Sequence, residues 1–492
     1  MAGELLPASL PAGRQAPQAI CKPLDTIKMR QISNISIGLL LLILASSCEN
    51  AVTKVSQVAD EPRLSGVIDD YLNAWEVNGK FNGSVLIAKG DSILYNKSFG
   101  FANRELNVAS SESTKYLIGS ITKPFTAYGI LLLEHQGKLS LNDKLAKFLP
   151  EFPNAEQISI KQLLTHRSGI TDYHQFKGWE ENAKLSPSPQ STLSTLLPRP
   201  SIFEPGERFS YTNSGYIILG LIIEQVSGLS YSQFIQSAIA EPLGLSNTGV
   251  ASNINMIENL ASGYRTTPRE TIKPAYINYN QPYASGNMYS TPSDLWKFTQ
   301  AVVHSTLLSP EKTTEIFNIE KYYGYGWGIR DFNGIKAYGH YGAMNGFVGA
   351  ITYIPDGKFF ICFLTNDDNT PEYSITEDLV KIIDGKDVAL PKKTVLIELT
   401  ENMKSKVTGD YLVKKGDTLS VFELDNKLYM QETGQIKHEL FPIDSLEFEL
   451  TLFEFKVVFS EPINTYSDTL KFVGKSNLRA KRITVPNKTY KQ

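Results

Sequence analysis

Hydrophobic and polar residues alternate in three different ways along this chain. From Gly83 the pattern is that of strands: Gly83-Ser-Val-Leu-Ile-Ala-Lys89, a Gly90-Asp91 turn, then Ser92-Ile-Leu-Tyr-Asn96 predict a β-hairpin. A second hairpin is predicted far downstream, from Gly346–Tyr353 through Pro355-Asp356-Gly357 to Lys358–Leu364. Between them the spacing is helical. Ile121–Leu133 is apolar nearly all round, which predicts a buried helix stopped by Gly137, and Ser214–Val226, Tyr231–Ala240 and Ser293–Val303 predict further helices. Strands that bracket a helical middle imply one antiparallel sheet built from both ends of the region, with a helical subdomain. Beyond about residue 395 the texture changes again. Leu446-Glu-Phe-Glu-Leu-Thr-Leu452 alternates strictly, Phe453–Val457 repeats the period after a one-residue slip, and Leu419–Leu424 and Lys427–Met430 are also strand-like. That pattern predicts a separate all-β domain, joined near Leu390-Pro391-Lys392-Lys393.

The N-terminal region fits none of these textures. An 11-residue apolar run, Ile35–Ala45, is too short for a membrane span, which takes about 20 residues. It fits the core of an export signal, with Lys28 and Arg30 in front and Met29 as the expected start. Ala45-Ser46-Ser47-Cys48 follows at once. It resembles a bacterial lipoprotein signal, in which Cys48 is lipidated and becomes the mature N-terminus. Ala45 departs from that pattern, and cleavage without lipidation is the alternative. The expected location is the bacterial cell envelope, with membrane contact through this anchor. Only Cys362 would then remain of three cysteines, so no intramolecular disulfide and no cysteine zinc cluster is expected. Cys362, inside Phe-Phe-Ile-Cys-Phe-Leu, reads as a buried small hydrophobe.

Length and charge narrow the picture. At 492 residues the chain has room for two to four domains, and 42% hydrophobic with 20% charged residues is ordinary globular composition. Lys plus Arg is 48 against 51 Asp plus Glu, a net charge of -3, which leaves no basic excess for nucleic acid. The six histidines form no H-x-H or H-x-x-x-H pair, so neither a metal site nor a metallohydrolase is expected, and no cofactor is implied.

Three short motifs carry chemistry: Ser120-Ile-Thr-Lys123, Tyr211-Thr-Asn213 and His340-Tyr-Gly342. Each also occurs a second time, as Ser309–Lys312, Tyr276–Asn278 and His135–Gly137. Ser309 before Pro310 reads as a helix cap, and His135 as a cation at a helix end. Context favours the first set. Ser120 opens the buried helix, where backbone N–H groups are free, and Lys123 lies one turn on along the same face. A serine hydroxyl needs an activating base to become a nucleophile; Lys123 and Tyr211 are both candidates.

Taken with their surroundings, these motifs resemble the serine β-lactamase and penicillin-binding-protein-like hydrolases, closest to the class C β-lactamase and DD-peptidase branch. The resemblance also rests on Tyr116–Phe125, Leu163-Leu-Thr-His-Arg-Ser-Gly-Ile170, Pro205-Gly206, Phe209–Tyr216, Glu241–Leu245, Tyr289–Leu295, Gly339–Ala343 and Gly346-Phe347, in family order. It implies an α+β fold: an antiparallel sheet flanked by helices, a helical subdomain, and a C-terminal barrel-like domain similar to a lipocalin. The expected boundaries are an upstream extension at 1–28, a signal peptide at 29–47, a linker at 48–64, the hydrolase domain at 65–385, a linker at 386–396 and the accessory domain at 397–492.

By resemblance, Ser120 is the acylated nucleophile, Lys123 assists it, and Tyr211 is base and then acid. Asn213 binds Lys123 and the substrate amide, and the N–H groups of Ser120 and Ala343, beside Gly342, form the oxyanion hole. His340 stands where many penicillin-recognising relatives have Lys. A histidine is charged only in part near neutrality, so carboxylate substrates, β-lactams among them, are expected to be handled weakly and with a pH dependence between about 5 and 8. The expected activity is acyl-enzyme hydrolysis of D-amino-acid peptides, peptidoglycan-type amides or small esters. A weak β-lactamase is the first alternative and a non-catalytic envelope binding protein the second. His166 reads as loop packing and Asn287 as a turn or cleft wall; His174, His304 and His438 carry no signal.

Overall fold

A computed structural model describes residues 61–483, apart from 177, 186–187, 319–321, 415–416, 433–436, 451–454, 464–465 and 474–477. The upstream extension, the export signal and Cys48 lie outside the described residues.

The predicted hairpins are both present. Strands β1 (Gly83–Lys89), β2 (Ser92–Phe99), β3 (Gly328–Phe332), β4 (Ile335–Met344), β5 (Phe347–Ile354) and β6 (Phe359–Thr365) form one antiparallel sheet. Its order is β3-β4-β5-β6-β1-β2. The two ends of the region meet where β1 pairs with β6, from Gly83 opposite Thr365 to Lys89 opposite Phe359. Both faces of the central strands are covered, so these strands read as apolar runs without polar gaps. The two-residue period still sorts the side chains. Val85, Ile87, Ile361 and Phe363 pack under helices α1 (Glu61–Val77) and α5 (Glu372–Ile383). Leu86, Ala88, Phe360, Cys362 and Leu364 join the opposite core. Cys362 is fully buried there, as a small hydrophobe.

That opposite core is built around α2 (Thr122–His135), buried from Thr122 to Leu133. Helices α3 (Asn213–Ser227) and α4 (Pro292–Val303) pack beside it, with the rings of Phe125 and Phe298 stacked 3.8 Å apart. Gly228, at φ 74, closes α3. The segment expected as one helix from Tyr231 to Ala240 divides into an α-helical half to Ile235 and a π-helical half from Gln236. Ser309 caps the helix Pro310–Phe317, and His135 ends α2, which accounts structurally for two of the duplicate motifs.

The C-terminal segment forms a closed eight-stranded barrel. Its strands are β7 (Gly409–Lys414), β8 (Asp417–Leu424), β9 (Lys427–Glu432), β10 (Lys437–Pro442), β11 (Glu447–Leu450), β12 (Phe455–Phe459), β13 (Thr469–Val473) and β14 (Arg479–Arg482). Leu428, Met430, Leu440, Phe448, Val457 and Phe472 fill its interior, as expected at this strand number, and helix α6 (Glu401–Val407) contributes Met403 and Val407. Arg482 laces the closing seam, donating to the carbonyls of Ser467, Thr408 and Lys406 at 2.5–2.8 Å.

Polar contacts join the hydrolase unit to the barrel and to the linker before it. Lys80 pairs with Glu449 at 2.6 Å, Asn78 donates to the Pro391 carbonyl at 2.9 Å, and Arg269 lies 3.6 Å from Glu439. Among the described residues no helix is long and apolar enough to cross a membrane. No group of three or more His, Cys, Asp or Glu side chains that could hold a metal occurs among them either.

Candidate active site

The entry to α2 is a tight turn. Gly119–Ile121 form a 3₁₀ turn in which the Ile121 N–H closes the first bond, to Ile118 O at 3.1 Å. The Gly119 and Ser120 N–H groups precede that bond, as at any helix start. Strand β4 runs past this turn. Its last pair with β3 is Gly339 opposite Gly328, so His340–Met344 extend beyond β3 with that edge open. Two glycines allow the approach. A Cβ at Gly342 would stand 1.9 Å from the Ile118 carbonyl oxygen. One at Gly119, at φ 49, would stand 2.5 Å from the Ala343 oxygen and 2.7 Å from its nitrogen. The Ala343 N–H and C=O therefore face the Ser120 turn rather than β5, since both groups of a strand residue point to one side. The Ser120 and Ala343 amides thus come to one place, beside a half-buried Ser120 side chain.

Lys123 is fully buried on α2. Its Nζ lies 2.9 Å from Ser120 Oγ, 2.8 Å from Asn213 Oδ1 and 2.8 Å from the Ser285 carbonyl. The faces of Tyr211 and Tyr216 flank it, with ring centroids 4.9 and 5.6 Å from Nζ. The Y-x-N motif reaches this point because Thr212 caps α3, which puts Asn213 at the first helical position and half-buried Tyr211 just outside it. Ser120, Lys123, Tyr211 and Asn213 are thereby brought together from two helices 90 residues apart.

His340 sits at the same centre. Its Nδ1 is 2.5 Å from the Tyr341 carbonyl, which can only accept, so Nδ1 carries the proton. Nε2 then accepts from the Tyr323 hydroxyl at 2.8 Å. Burial, and next the Lys123 charge, push the His340 pKa down to about 3. The expectation of a partly charged histidine between pH 5 and 8 is thus corrected: the imidazole is neutral over that whole range, because it is buried beside a lysine.

His166 is more than loop packing. It is fully buried at φ 56, a left-handed conformation that is costly for a residue with a Cβ. Its ring lies 4.3 Å from that of Tyr211, 5.1 Å from Tyr216 and 4.5 Å from Tyr323. Nδ1 accepts the Thr212 N–H at 3.2 Å, so one imidazole braces both the ring and the backbone of the Y-x-N segment. Burial, with help from Lys123, moves its pKa well below the ordinary value, and the ring is neutral.

Three residues escaped the sequence reading. Tyr323 lies in a loop with no periodic signal. Asp172 and His174 follow directly on the Leu163–Ile170 block, and that position was the one available clue. Asp172 Oδ2 accepts from the Asn213 backbone N–H at 2.5 Å and from its Nδ2 at 3.1 Å. Asn287 is buried, with Oδ1 lacking a hydrogen-bond partner among the described residues.

The chain is similar to several known proteins. Residues 73–384 match the family described as Beta-lactamase. Penicillin-binding protein 4* of Bacillus subtilis (strain 168) is 30% identical over 412 residues, covering 77% of this chain and 90% of that protein. Teichoic acid D-alanine hydrolase of Staphylococcus aureus (strain NCTC 8325 / PS 47) is 29% identical over 268 residues, 53% of this chain and 64% of that protein. Among solved structures, the octameric penicillin-binding protein homologue from Pyrococcus abyssi aligns with a TM-score of 0.58 at 27% identity, over 86% of this chain and 100% of its own. The chain belongs to the Beta-lactamase family of serine hydrolases.

Proposed function

We propose that this protein hydrolyses D-amino-acid amides or small esters through an acyl-enzyme on Ser120. The observation that carries the reading is the hydrogen bonding of Lys123. Asn213 Oδ1 and the Ser285 carbonyl only accept, so two Nζ positions must donate. A neutral amine could then turn its lone pair toward Ser120 Oγ, 2.9 Å away. In the first step the Oγ–C bond forms, the hydroxyl proton passes to the Lys123–Tyr211 pair, and the carbonyl electrons move onto oxygen. The Ser120 and Ala343 N–H groups hold that oxyanion, at about 3 kcal/mol per donor. The pair returns the proton to the leaving amine or alkoxide as its bond to carbon breaks. Water repeats the sequence and frees Ser120.

Neutral His340 supplies no cation for a substrate carboxylate, which favours acyl donors without one and makes β-lactams poor substrates. The 29%-identical relative named teichoic acid D-alanine hydrolase supports a D-alanyl group on the acyl side. The test is a pre-steady-state burst with p-nitrophenyl acetate, followed by D- and L-alanine p-nitroanilides. A burst near one equivalent, absent in Ser120→Ala, with D preferred over L, is expected. No burst in folded wild-type protein would sink the reading and favour a binding protein. Export with a lipid on Cys48 belongs to the same proposal: labelled palmitate should enter the wild type and not Cys48→Ser.

A further inference from the structure

The orientation of the Asn213 carboxamide decides whether Lys123 meets an acceptor or a donor. Turned by 180°, the amide would present its NH₂ to Nζ, and that contact would become repulsive. What fixes the orientation is Asp172. An ionised carboxylate only accepts, so it must face the NH₂ end and leaves Oδ1 for Lys123. Asp172 also takes the Asn213 backbone N–H, tying the amide to the first residue of α3. Its other oxygen accepts the His174 N–H at 2.9 Å. Asp172 is suited to this task. Burial alone would raise its pKa, but the charge and hydrogen bonds of His174, with those from Asn213, hold it down at about 2.

His174 stands on the solvent side of the same cluster, its side chain 39% exposed. Its Nδ1 is 3.2 Å from Asn213 Nδ2, a donor, and 3.1 Å from Asp172 Oδ1, an acceptor. One nitrogen cannot serve both. Without a proton, Nδ1 accepts from Asn213 and adds a second hold on the NH₂ end. With a proton it donates to Asp172 Oδ1 instead and no longer accepts from the amide. The groups facing His174 are Asp172 and Tyr173 on its own turn, the Trp179 ring at 4.4 Å, and Asn213 with Lys123 behind it; the charged ones are Asp172 and Lys123.

We propose that Asp172 and His174 are a positioning pair: they fix the Asn213 carboxamide, and through it the Lys123 amine at Ser120. The pair rests on the acyl-serine reading and adds to it two residues that act on the reaction through Asn213.

The test is the acylation rate constant and substrate affinity with p-nitrophenyl acetate at pH 8. The proteins are the wild type, Asp172→Asn, His174→Phe, His174→Gln and Ser120→Ala, each checked for folding by thermal melting. An Asn at 172 can present either end of an amide, so the discrimination is lost. Acylation should fall about 100-fold with affinity changed less than about threefold, the pattern of a misplaced group rather than a lost binding contact. His174→Phe should fall about tenfold at pH 8, and His174→Gln, whose oxygen can accept from Asn213, should recover much of that. A burst retained in Ser120→Ala overturns the acyl-serine reading itself. A burst lost there but unaltered in Asp172→Asn overturns the pair alone. If Asp172→Asn fails to fold, the exposed His174 decides: acylation rate constants of both His174 variants equal to that of the wild type overturn the proposal.

Discussion

The hydrolase unit and the barrel are both compact packings of strands, yet they treat polar groups in opposite ways. In the barrel, alternation runs its course: leucine, valine and phenylalanine point in, and charged side chains point out. In the hydrolase unit a lysine, two histidines and an aspartate-held asparagine lie at the centre of the packing. Such features cost stability and persist only where the surrounding structure over-determines them. The contrast locates the chemistry in the first unit, and experiments can attack it from either side.

The largest effect is expected at Lys123. Lys123→Ala should slow acylation at least about 1,000-fold, as loss of a nucleophile's activator does, while leaving the unfolding of the barrel untouched. Stopped-flow burst kinetics check this; a fall under tenfold would count against Lys123 as activator. The mirror-image change is Phe448→Ala, fully buried in the barrel. It should cost the barrel about 3 kcal/mol or more in urea and leave the burst amplitude unchanged. A lost burst in that variant would mean that the two units do not fold independently.

A smaller effect comes from His340. Its folded-state pKa of about 3 lies below the ordinary value near 6.5, so below pH 6.5 the unfolded chain binds a proton that the folded one refuses. The penalty is absent above that pH and grows by about 1.4 kcal/mol per pH step below it, reaching about 3 kcal/mol at pH 4.5. His340→Gln should flatten this part of the stability–pH curve, measured by urea midpoints. The same neutrality predicts that discrimination against carboxylate substrates is constant from pH 5 to 8. The smallest effect is expected between the units. The Lys80–Glu449 pair, with side chains 25% and 14% exposed, should show a coupling of about 0.5–1 kcal/mol in a double-mutant cycle.

The barrel and both hairpins were legible in the sequence, because one-residue alternation and Gly-Asp or Pro-Asp-Gly turns are local signals. So was the meeting of Ser120 and Lys123, which needs one helical turn. Tyr211 and Asn213 were found through their neighbours, and nothing local could have placed them against Lys123. Histidine roles were the least legible. A histidine's charge depends on burial and on what faces it, and neither is written near His166, His174 or His340. Tyr323 meets His340 across 17 positions of chain without a periodic signal. The π-helical segment at Gln236–Ala240 was hidden for a related reason: its apolar spacing passes for an ordinary helix.

The contact between the Ser120 turn and β4 has a consequence for how this site can vary over generations. At Gly119 and Gly342 backbone lies directly on backbone, and no side chain stands between that could be exchanged for a smaller one. A single added methyl at either place has nowhere to go. New substrate preferences must therefore be reached by mutating the rim, at residues such as His174 and Ala343, while these two hydrogen-bearing positions stay fixed. They are the hinge pins of the site's mutational landscape.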